Sequence, residues 1–255
     1  SWLSARLAAW WIDSHPLGQA FVLTTAPTNK QVKAVLWKEM RRAFLSAKLP
    51  GRMNQTEWWI NGEMIAMGRK PSDYDPTAFQ GIHAKYVLLI FDEACGIPEQ
   101  IYIAGNSLAA NEFSRILAVG NPDDPDSHFA KICKPGSGWN VVPVSAYDTP
   151  NFTEEKQVAP QDLLDVLTSQ IYVDEVIKDM GLDSPIYMSK VLGKFPENKA
   201  DGVIPLSWLR ACQDEDKVTE YIEDQLLPVE LGIDVGAGGD DTSIRERRGI
   251  LAGRS

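Results

Sequence analysis

Two adjacent carboxylates, Asp92 and Glu93, follow directly after the apolar run Tyr86–Phe91. Six consecutive apolar or aromatic residues of this kind predict a strand that is buried on both faces. Acids at the end of such a strand lie at the carboxyl edge of a parallel sheet, where open α/β folds bind their ligands. In NTPases an Asp at this position holds Mg²⁺ and a neighbouring acid orients the attacking water. The pair therefore predicts a nucleotide site; the alternative is a strand that ends at two solvated acids.

A second candidate is Asn121, which follows the apolar strand predicted at 116–120. A polar residue on the strand beside the acid-bearing one can sense the γ-phosphate and pass its loss to the rest of the protein. Asn121 is placed for that role. An Asn before a proline, here Pro122, is also a common turn former, so this residue alone does not decide the function.

The third candidate is Asp234, on a strand that leads into a glycine-rich turn. Gly236 and Gly238 match the start of a dinucleotide-binding motif, but Asp241 occupies its third glycine position and a strand is predicted to follow. An acid within a first strand, with Asp240 and Asp241 across a turn, is how a two-metal nuclease of ribonuclease H type begins. Actin-like and sugar-kinase ATPases begin similarly, so the motif leaves these classes open.

Alternating strands and helices must position these candidates. The predicted helices cover residues 2–14, 29–46 and 97–113, and the predicted strands cover 20–25, 86–91, 116–120 and 140–145. The second helix is expected to bury Val32, Val35, Leu36, Met40 and Phe44 on one face. A hairpin is predicted at 58–67 through the turn Asn61-Gly62. The alternation indicates an α/β fold with a mainly parallel sheet and helices on both faces.

The pattern changes after residue 150. We predict a core domain over 1–150 and an acidic, mostly helical linker subdomain over 151–227. A new strand at 229–235, with a hairpin partner at 242–250, predicts the start of another domain over 228–255.

Composition narrows the class of protein. The 255 residues are 44% hydrophobic and carry a net charge of −10, which argues against a protein that coats nucleic acid but not against a motor with a small DNA-binding surface. The basic clusters are Arg41-Arg42 and residues 245–248. Three scattered cysteines and three scattered histidines predict neither disulfides nor a zinc site. Neither a membrane span nor a signal peptide is indicated, and the cysteines fit buried thiols in a reducing compartment.

The ordered series of segments resembles the large subunit of tailed-bacteriophage terminases, the ATP-driven motor and nuclease that packages viral DNA. The resemblance runs nearly end to end, and its matching segments are residues 26–31, 36–39, 79–84, 89–94, 118–122, 193–196 and 232–235. It implies an ASCE-type P-loop NTPase sheet followed by the first strands of a ribonuclease H-like nuclease domain.

The resemblance also implies roles for the candidate residues. Asp92 would hold Mg²⁺, Glu93 would activate the hydrolytic water and Asn121 would couple hydrolysis to movement. Asp234 would be the first nuclease metal ligand, with Asp240 or Asp241 a weaker candidate. The implied cofactors are ATP, Mg²⁺ at the ATPase site, and Mg²⁺ or Mn²⁺ at the nuclease site.

The implied partners are viral double-stranded DNA, the small terminase subunit and the portal protein of the procapsid. The resemblance further implies a ring homo-oligomer on the portal, in the cytoplasm of the bacterial host and without contact with a membrane. The arginine that completes the ATP site is left open among Arg6, Arg69 and Arg115.

The phosphate-binding motif GxxxxGK[ST] is absent from the sequence. Ser1 stands where the terminal hydroxyl residue of that loop would be, so it is a candidate nucleotide contact. We expect this chain by itself neither to hydrolyse ATP efficiently nor to cut DNA.

Two other interpretations compete with a terminase. A superfamily 2 helicase would explain the Asp92-Glu93-Ala94-Cys95 box, but that family usually carries Ser-Ala-Thr where this chain has Ala118–Asn121. A non-catalytic prophage remnant that only binds packaging partners would explain the missing phosphate loop.

Overall fold

The computed structural model describes residues 1–70, 79, 81–197, 229–234, 243–248 and 251–252. The chain divides into two compact units, residues 1–201 and 202–255. Across the described ranges no helix combines the length and apolar character needed to cross a membrane.

The first unit contains a six-stranded sheet and its helices. Its strands are β1 (Ala20–Thr25), β2 (Arg52–Met53), β3 (Glu57–Ile60), β4 (Glu63–Gly68), β5 (Tyr86–Asp92) and β6 (Arg115–Val119). Its α-helices are α1 (Trp2–Asp13), α2 (Trp37–Ser46), α3 (Glu99–Leu108), α4 (His128–Ile132), α5 (Gln161–Leu164) and α6 (Gln170–Met180).

The strand order is β2-β3-β4-β1-β5-β6. Strands β4, β1, β5 and β6 are parallel, whereas β2, β3 and β4 are joined antiparallel. The predicted α/β class with a mainly parallel sheet is therefore confirmed. The interior position of β5, between β1 and β6, explains why its sequence is continuously apolar.

Successive side chains of β5 enter two different cores. Leu88 and Ile90 pack with α1 and α2 on one face of the sheet. Leu89 and Phe91 pack with α3 and α4 on the other face. This alternation follows from the two-residue period of a strand. It also determines the face toward which Asp92 points, because residue 92 shares its face with residues 88 and 90.

The hairpin β3–β4 turns at Asn61 and Gly62, as predicted. Both residues have positive φ, 51° and 87°. A type I′ turn requires φ above zero at both central positions, which Asn and Gly tolerate best. The turn sequence therefore fixes the register of the antiparallel edge of the sheet.

The helix after β1 differs from the prediction in its first turns. Residues Gln31–Leu36 form a π-helix before α2 begins at Trp37. The wider turn changes the phase of the side chains, so Val35, which was expected on the buried face, is 45% exposed. Val32, Leu36 and Met40 are buried as expected.

One predicted helix is shorter than expected, and one predicted strand does not form. The helix predicted over 97–113 ends at Leu108, and the Asn111 side chain then accepts hydrogen bonds from the Phe113 and Ser114 backbone in a tight turn. The segment 140–145 is not a strand, since no described strand pairs with it. Its valines are β-branched, but Val142 is 74% exposed, and strand propensity without a partner does not form a sheet.

A small helical cluster follows this segment. Ala146, Val173 and Val176 pack with Tyr187 and Val191, the latter two in a π-helical turn, Tyr187–Val191. Ser145 anchors the start of this cluster, because its hydroxyl donates to the Val191 carbonyl at 3.1 Å. In the described part of the predicted linker subdomain, residues 151–197, the regular secondary structure is helical.

In the second unit, β7 (Val229–Asp234) pairs antiparallel with β8 (Ser243–Arg248), and β8 pairs with β9 (Leu251–Ala252). The predicted strand and its hairpin partner are confirmed within these bounds. Asp234 is opposite Ser243 in the register.

Candidate functional site

Asp92 ends β5 with a buried carboxylate, and its residue is only 2% exposed. The Ser1 hydroxyl donates to Asp92 Oδ2 at 2.6 Å, and the Ser4 hydroxyl is 3.5 Å from Oδ1. The Ser1 backbone nitrogen lies 3.3 Å from the same Oδ1. A buried carboxylate is costly unless hydrogen-bond donors compensate it, and the hydroxyls of Ser1 and Ser4 at the start of α1 supply them.

The side-chain period of β5 explains why α1 is the partner. Asp92 continues the face of Leu88 and Ile90, which is covered by α1. Ser1 and Ser4 are three residues apart, so they lie on the same face of the helical turn. Ser1 was predicted from the sequence as a candidate site residue, whereas Ser4 was missed. The spacing of two serines three residues apart at the start of a helix could have indicated that Ser4 lies on the same face.

Glu93 is exposed and adopts the left-handed conformation, with φ 53° and ψ 48°. This conformation ends the strand and starts the 3₁₀ turn Ala94–Gly96. A non-glycine residue there carries a strain of about 1 kcal/mol. The result is that two adjacent carboxylates separate: Asp92 is directed into the sheet–helix contact and Glu93 is presented to solvent at the carboxyl edge.

The turn after Glu93 touches the loops that follow both neighbouring strands. A Cβ on Gly96 would lie 2.8 Å from Pro27 Cγ, in the loop after β1. A Cβ on Gly120 would lie 2.8 Å from the Ala94 nitrogen. These close approaches bring three strand ends together at one edge of the sheet, as expected for parallel strands.

Cys95 ties this turn to the loop after β6. Its sulfur accepts from the Asp124 backbone N–H at 3.2 Å and is 3.5 Å from the Ser127 hydroxyl. Tyr102 of α3 stabilises the same turn, because its hydroxyl donates to the Ala94 carbonyl at 2.8 Å. Burial raises the pKa of Tyr102 above its ordinary value, so the phenol stays a donor. These contacts were not predicted, since they form only when α3 and the loop after β6 pack against the turn.

Asn121 lies directly after Gly120, in the loop next to the Glu93 turn, and its side chain is exposed. Two residues later, Asp123 forms an ion pair of 2.8 Å with Lys190 of the helical cluster. The Asn121 loop therefore lies between the carboxylate edge and that cluster.

The three candidate arginines lie in different places. Arg115 starts β6, at the opposite edge from Asp92, and donates to the Glu112 and Ser114 carbonyls. Arg6 lies over the Trp2 ring at 3.6 Å and 3.6 Å from Glu39. Arg69 follows the carboxyl end of β4, and its backbone N–H donates to Thr24. Of the three, Arg69 is at the strand edge that carries Asp92, and Arg115 is not.

The oxygen atoms of Asp92, Ser1 and Ser4 are suitable ligands for a hard cation. Within the described ranges, no group of three or more His, Cys, Asp or Glu side chains is arranged to hold a metal ion. Mg²⁺ does not need such a group, because it commonly takes one or two protein carboxylates together with phosphate and water oxygens. One carboxylate and two hydroxyls at a strand end match that chemistry.

The predicted nuclease acids are only partly within the described residues. Asp234 ends β7, and its backbone pairs with Ser243. Asp240 and Asp241 lie outside the described residues.

The fold and this edge define an α/β protein with a carboxylate site at the end of a mainly parallel sheet. No family model matches the chain. A curated relative, the probable terminase large subunit of Enterobacteria phage P7, is 24% identical over 135 residues, which cover 50% of this chain and 24% of the relative. The chain therefore spans about a quarter of the length of that relative.

Solved structures of the large terminase from a thermophilic bacteriophage are also similar to this chain. One of them aligns with a TM-score of 0.52 and 12% identity over 96% of this chain and 55% of that chain. Another structure of the same protein, in complex with ADP, aligns with a TM-score of 0.47 and 13% identity, with the same coverage. The predicted resemblance to phage terminase large subunits is confirmed in sequence and in fold.

Proposed function

We propose that this chain is part of a phage terminase large subunit and that residues 1–150 form its ATPase core. The observation that carries the proposal is the hydrogen bond of 2.6 Å between Ser1 and Asp92. In P-loop NTPases a Ser or Thr at the start of the helix and an Asp at the end of the neighbouring strand hold Mg²⁺ together. This chain brings the same pair of residue types together across 91 positions.

The chemistry follows from the different environments of the two acids. Asp92 and Ser1 would hold Mg²⁺, which supplies charge neutralisation at the β- and γ-phosphates of ATP. Glu93, exposed at the same edge, orients and activates the attacking water. The left-handed turn keeps the Glu93 carboxylate away from the donors that Asp92 uses.

Asn121 would couple hydrolysis to movement. Its neighbour Gly120 contacts the Glu93 turn, and Asp123 is paired with Lys190 in the helical cluster. A shift of the Glu93 turn on phosphate release displaces the Asn121 loop and, through the ion pair, the helical cluster that contains Lys190.

The remaining parts of the proposal concern DNA. Residues 228–255 would start a ribonuclease H-like nuclease domain, in which Asp234, with Asp241 as a second candidate, holds Mg²⁺ or Mn²⁺. The whole protein would move viral double-stranded DNA into the procapsid and cut concatemers in the cytoplasm of the bacterial host. Its partners would be the small terminase subunit and the portal protein, on which it assembles as a ring.

The experiment is an ATPase assay on the complete gene product that contains this chain. We expect Glu93→Gln to lower kcat about 100-fold or more while nucleotide binding persists, because only the water-activating carboxylate is lost. Asp92→Asn should abolish both hydrolysis and Mg²⁺-dependent binding. Glu155→Gln, which removes an exposed acid elsewhere, is the matched control and should change neither. Full turnover in Glu93→Gln would overturn the assignment.

The nuclease part has a separate readout. We expect Asp234→Asn to abolish Mn²⁺-dependent cutting of plasmid DNA and to leave ATP hydrolysis unchanged, since the two sites are on different units. Cutting at the wild-type rate in Asp234→Asn would contradict the assignment of this residue.

A further inference from the structure

The distribution of basic residues is strongly uneven. Residues 30–52 contain seven of the 25 Lys and Arg of the chain but one of its 35 Asp and Glu, Glu39. The segment has a formal charge of +6, and the other residues, with 18 basic and 34 acidic side chains, have −16. The basic residues are Lys30, Lys33, Lys38, Arg41, Arg42, Lys48 and Arg52.

All seven basic residues are exposed. The helical segment Gln31–Ser46 buries Val32, Leu36 and Met40 against the sheet, so its basic residues occupy the opposite, solvent face. The only acid of the segment is already engaged, because Glu39 pairs with Arg42 at 2.5 Å and lies 3.6 Å from Arg6. The positive charge of this face is therefore not neutralised within the segment.

We propose that this basic surface, formed by the helical residues Lys33, Lys38, Arg41 and Arg42 and by the exposed residues Lys30, Lys48 and Arg52 that flank the helical segment in the sequence, is the docking surface for the phosphate backbone of double-stranded DNA. Sixteen helical residues extend over about 24 Å, roughly two thirds of one turn of the duplex. Clustered Lys and Arg on one face are the electrostatic footprint of phosphate binding. The choice of DNA as the polyanion rests on the proposed function; the location of the surface rests on the charges alone.

The composition of the face favours a phosphate backbone over other partners. Residues 30–52 expose no aromatic side chain, so the face offers no platform on which bases of a single strand could stack. Its exposed large apolar side chains are Val35 and Leu45, which do not form the apolar centre expected of a protein interface. A surface of this kind binds without sequence preference and depends strongly on salt.

The test measures binding of a fluorescently labelled duplex of about 30 base pairs between about 50 and 200 mM salt, without nucleotide. The variant replaces Lys33, Lys38 and Lys48 by Gln, which leaves Arg41 on the Asn54 carbonyl and Arg42 on Glu39. The matched control replaces Lys134, Lys156 and Lys178, three exposed lysines outside the segment, by Gln. Both variants change the net charge equally.

We expect the Lys33, Lys38 and Lys48 variant to bind duplex at least about tenfold more weakly and to lower the slope of log K against log salt by about 2 to 3. The control should keep the wild-type slope. Replacing the same three lysines by Arg should retain both affinity and slope, which separates lost charge from a folding defect. Equal weakening in variant and control, or no weakening, overturns the proposal.

Other occupants are distinguished in the same assay. Tighter binding of polyglutamate, of phosphatidylserine vesicles or of the single strand than of the duplex would overturn the assignment to duplex DNA. If Glu93→Gln keeps full ATPase turnover while the lysine variant still lowers the salt dependence of duplex binding, the proposed function is wrong and the docking surface stands. If Glu93→Gln loses turnover but the lysine variant binds duplex like the wild type, only the docking surface is wrong.

Discussion

The hydroxyl of Ser1 and the carboxylate of Asp92 are joined by a hydrogen bond of 2.6 Å, although 91 positions separate the two residues. This contact connects the first turn of α1 with the last residue of β5. Because the Asp92 carboxylate is buried, the contact bears both on stability and on the proposed binding of a cation at this edge of the sheet.

Removing the Ser1 hydroxyl should destabilise the protein measurably. We expect Ser1→Ala to lower the free energy of unfolding by about 1 to 2 kcal/mol, since a hydrogen bond to a buried charged acceptor is lost. Ser4→Ala is the comparison: its hydroxyl is 3.5 Å from Asp92, so the loss should be smaller. Urea unfolding checks both values, and a larger effect of Ser4→Ala would contradict this ranking.

Gly120→Ala should disturb the turn that carries Glu93. The added Cβ would lie 2.8 Å from the Ala94 nitrogen, a backbone atom that cannot move without moving the turn. We expect a loss of about 1 to 3 kcal/mol in the free energy of unfolding, measured by urea titration. The exposed neighbour Asn121→Ala should stay within about 0.5 kcal/mol of wild type. Wild-type stability in Gly120→Ala would show that the turn has room for a methyl group.

Trp37 joins α2 to the sheet through packing and a hydrogen bond. It is fully buried, its Nε1 donates to the Thr24 hydroxyl at 2.9 Å, and a Cβ on Gly68 would collide with that nitrogen. We expect Trp37→Phe to cost about 1 to 3 kcal/mol in unfolding free energy, measured by thermal and urea unfolding. The exposed Trp10→Phe is the matched control and should be nearly neutral. Equal effects at the two positions would argue against this packing.

The pKa of the Glu99 carboxyl should rise when Lys131 is replaced by a neutral residue. The hydrogen bond from Lys131, then that from His128, holds the pKa of Glu99 below its ordinary value. A lowered folded-state pKa stabilises the fold above the ordinary pKa of the group, and the effect is lost as pH falls through the folded value. We expect Lys131→Gln to move the NMR titration midpoint of Glu99 upward. Lys134→Gln should not move it; a downward shift in Lys131→Gln would contradict the role of the lysine as the main cause.

The sequence was sufficient to locate the interior strand β5 and the candidate acid at its end. A run that is apolar at every position requires burial on both faces, which only an interior strand such as β5 provides. From there the two-residue period places Asp92 on the face of Leu88 and Ile90. The Asn61-Gly62 turn was equally predictable, because few residues tolerate its backbone angles.

The remaining features depend on contacts that no local pattern encodes. The sulfur of Cys95 meets Asp124 only after both loops are folded against each other. The segment 140–145 has strand propensity, but pairing needs a neighbour that the sequence does not reveal. The exposure of Val35 follows from a π-helical turn, which residue periodicity does not predict.

The backbone at Glu93 makes one further consequence measurable. A glycine would adopt the left-handed angles there without strain, so a screen that rewards thermal resistance alone should favour Glu93→Gly. Such a variant would gain robustness and forfeit the side chain to which we assign water activation. Thermal resistance and catalytic turnover therefore make opposite demands on residue 93. Directed evolution for thermal resistance should select glycine there, and directed evolution for turnover should retain Glu93.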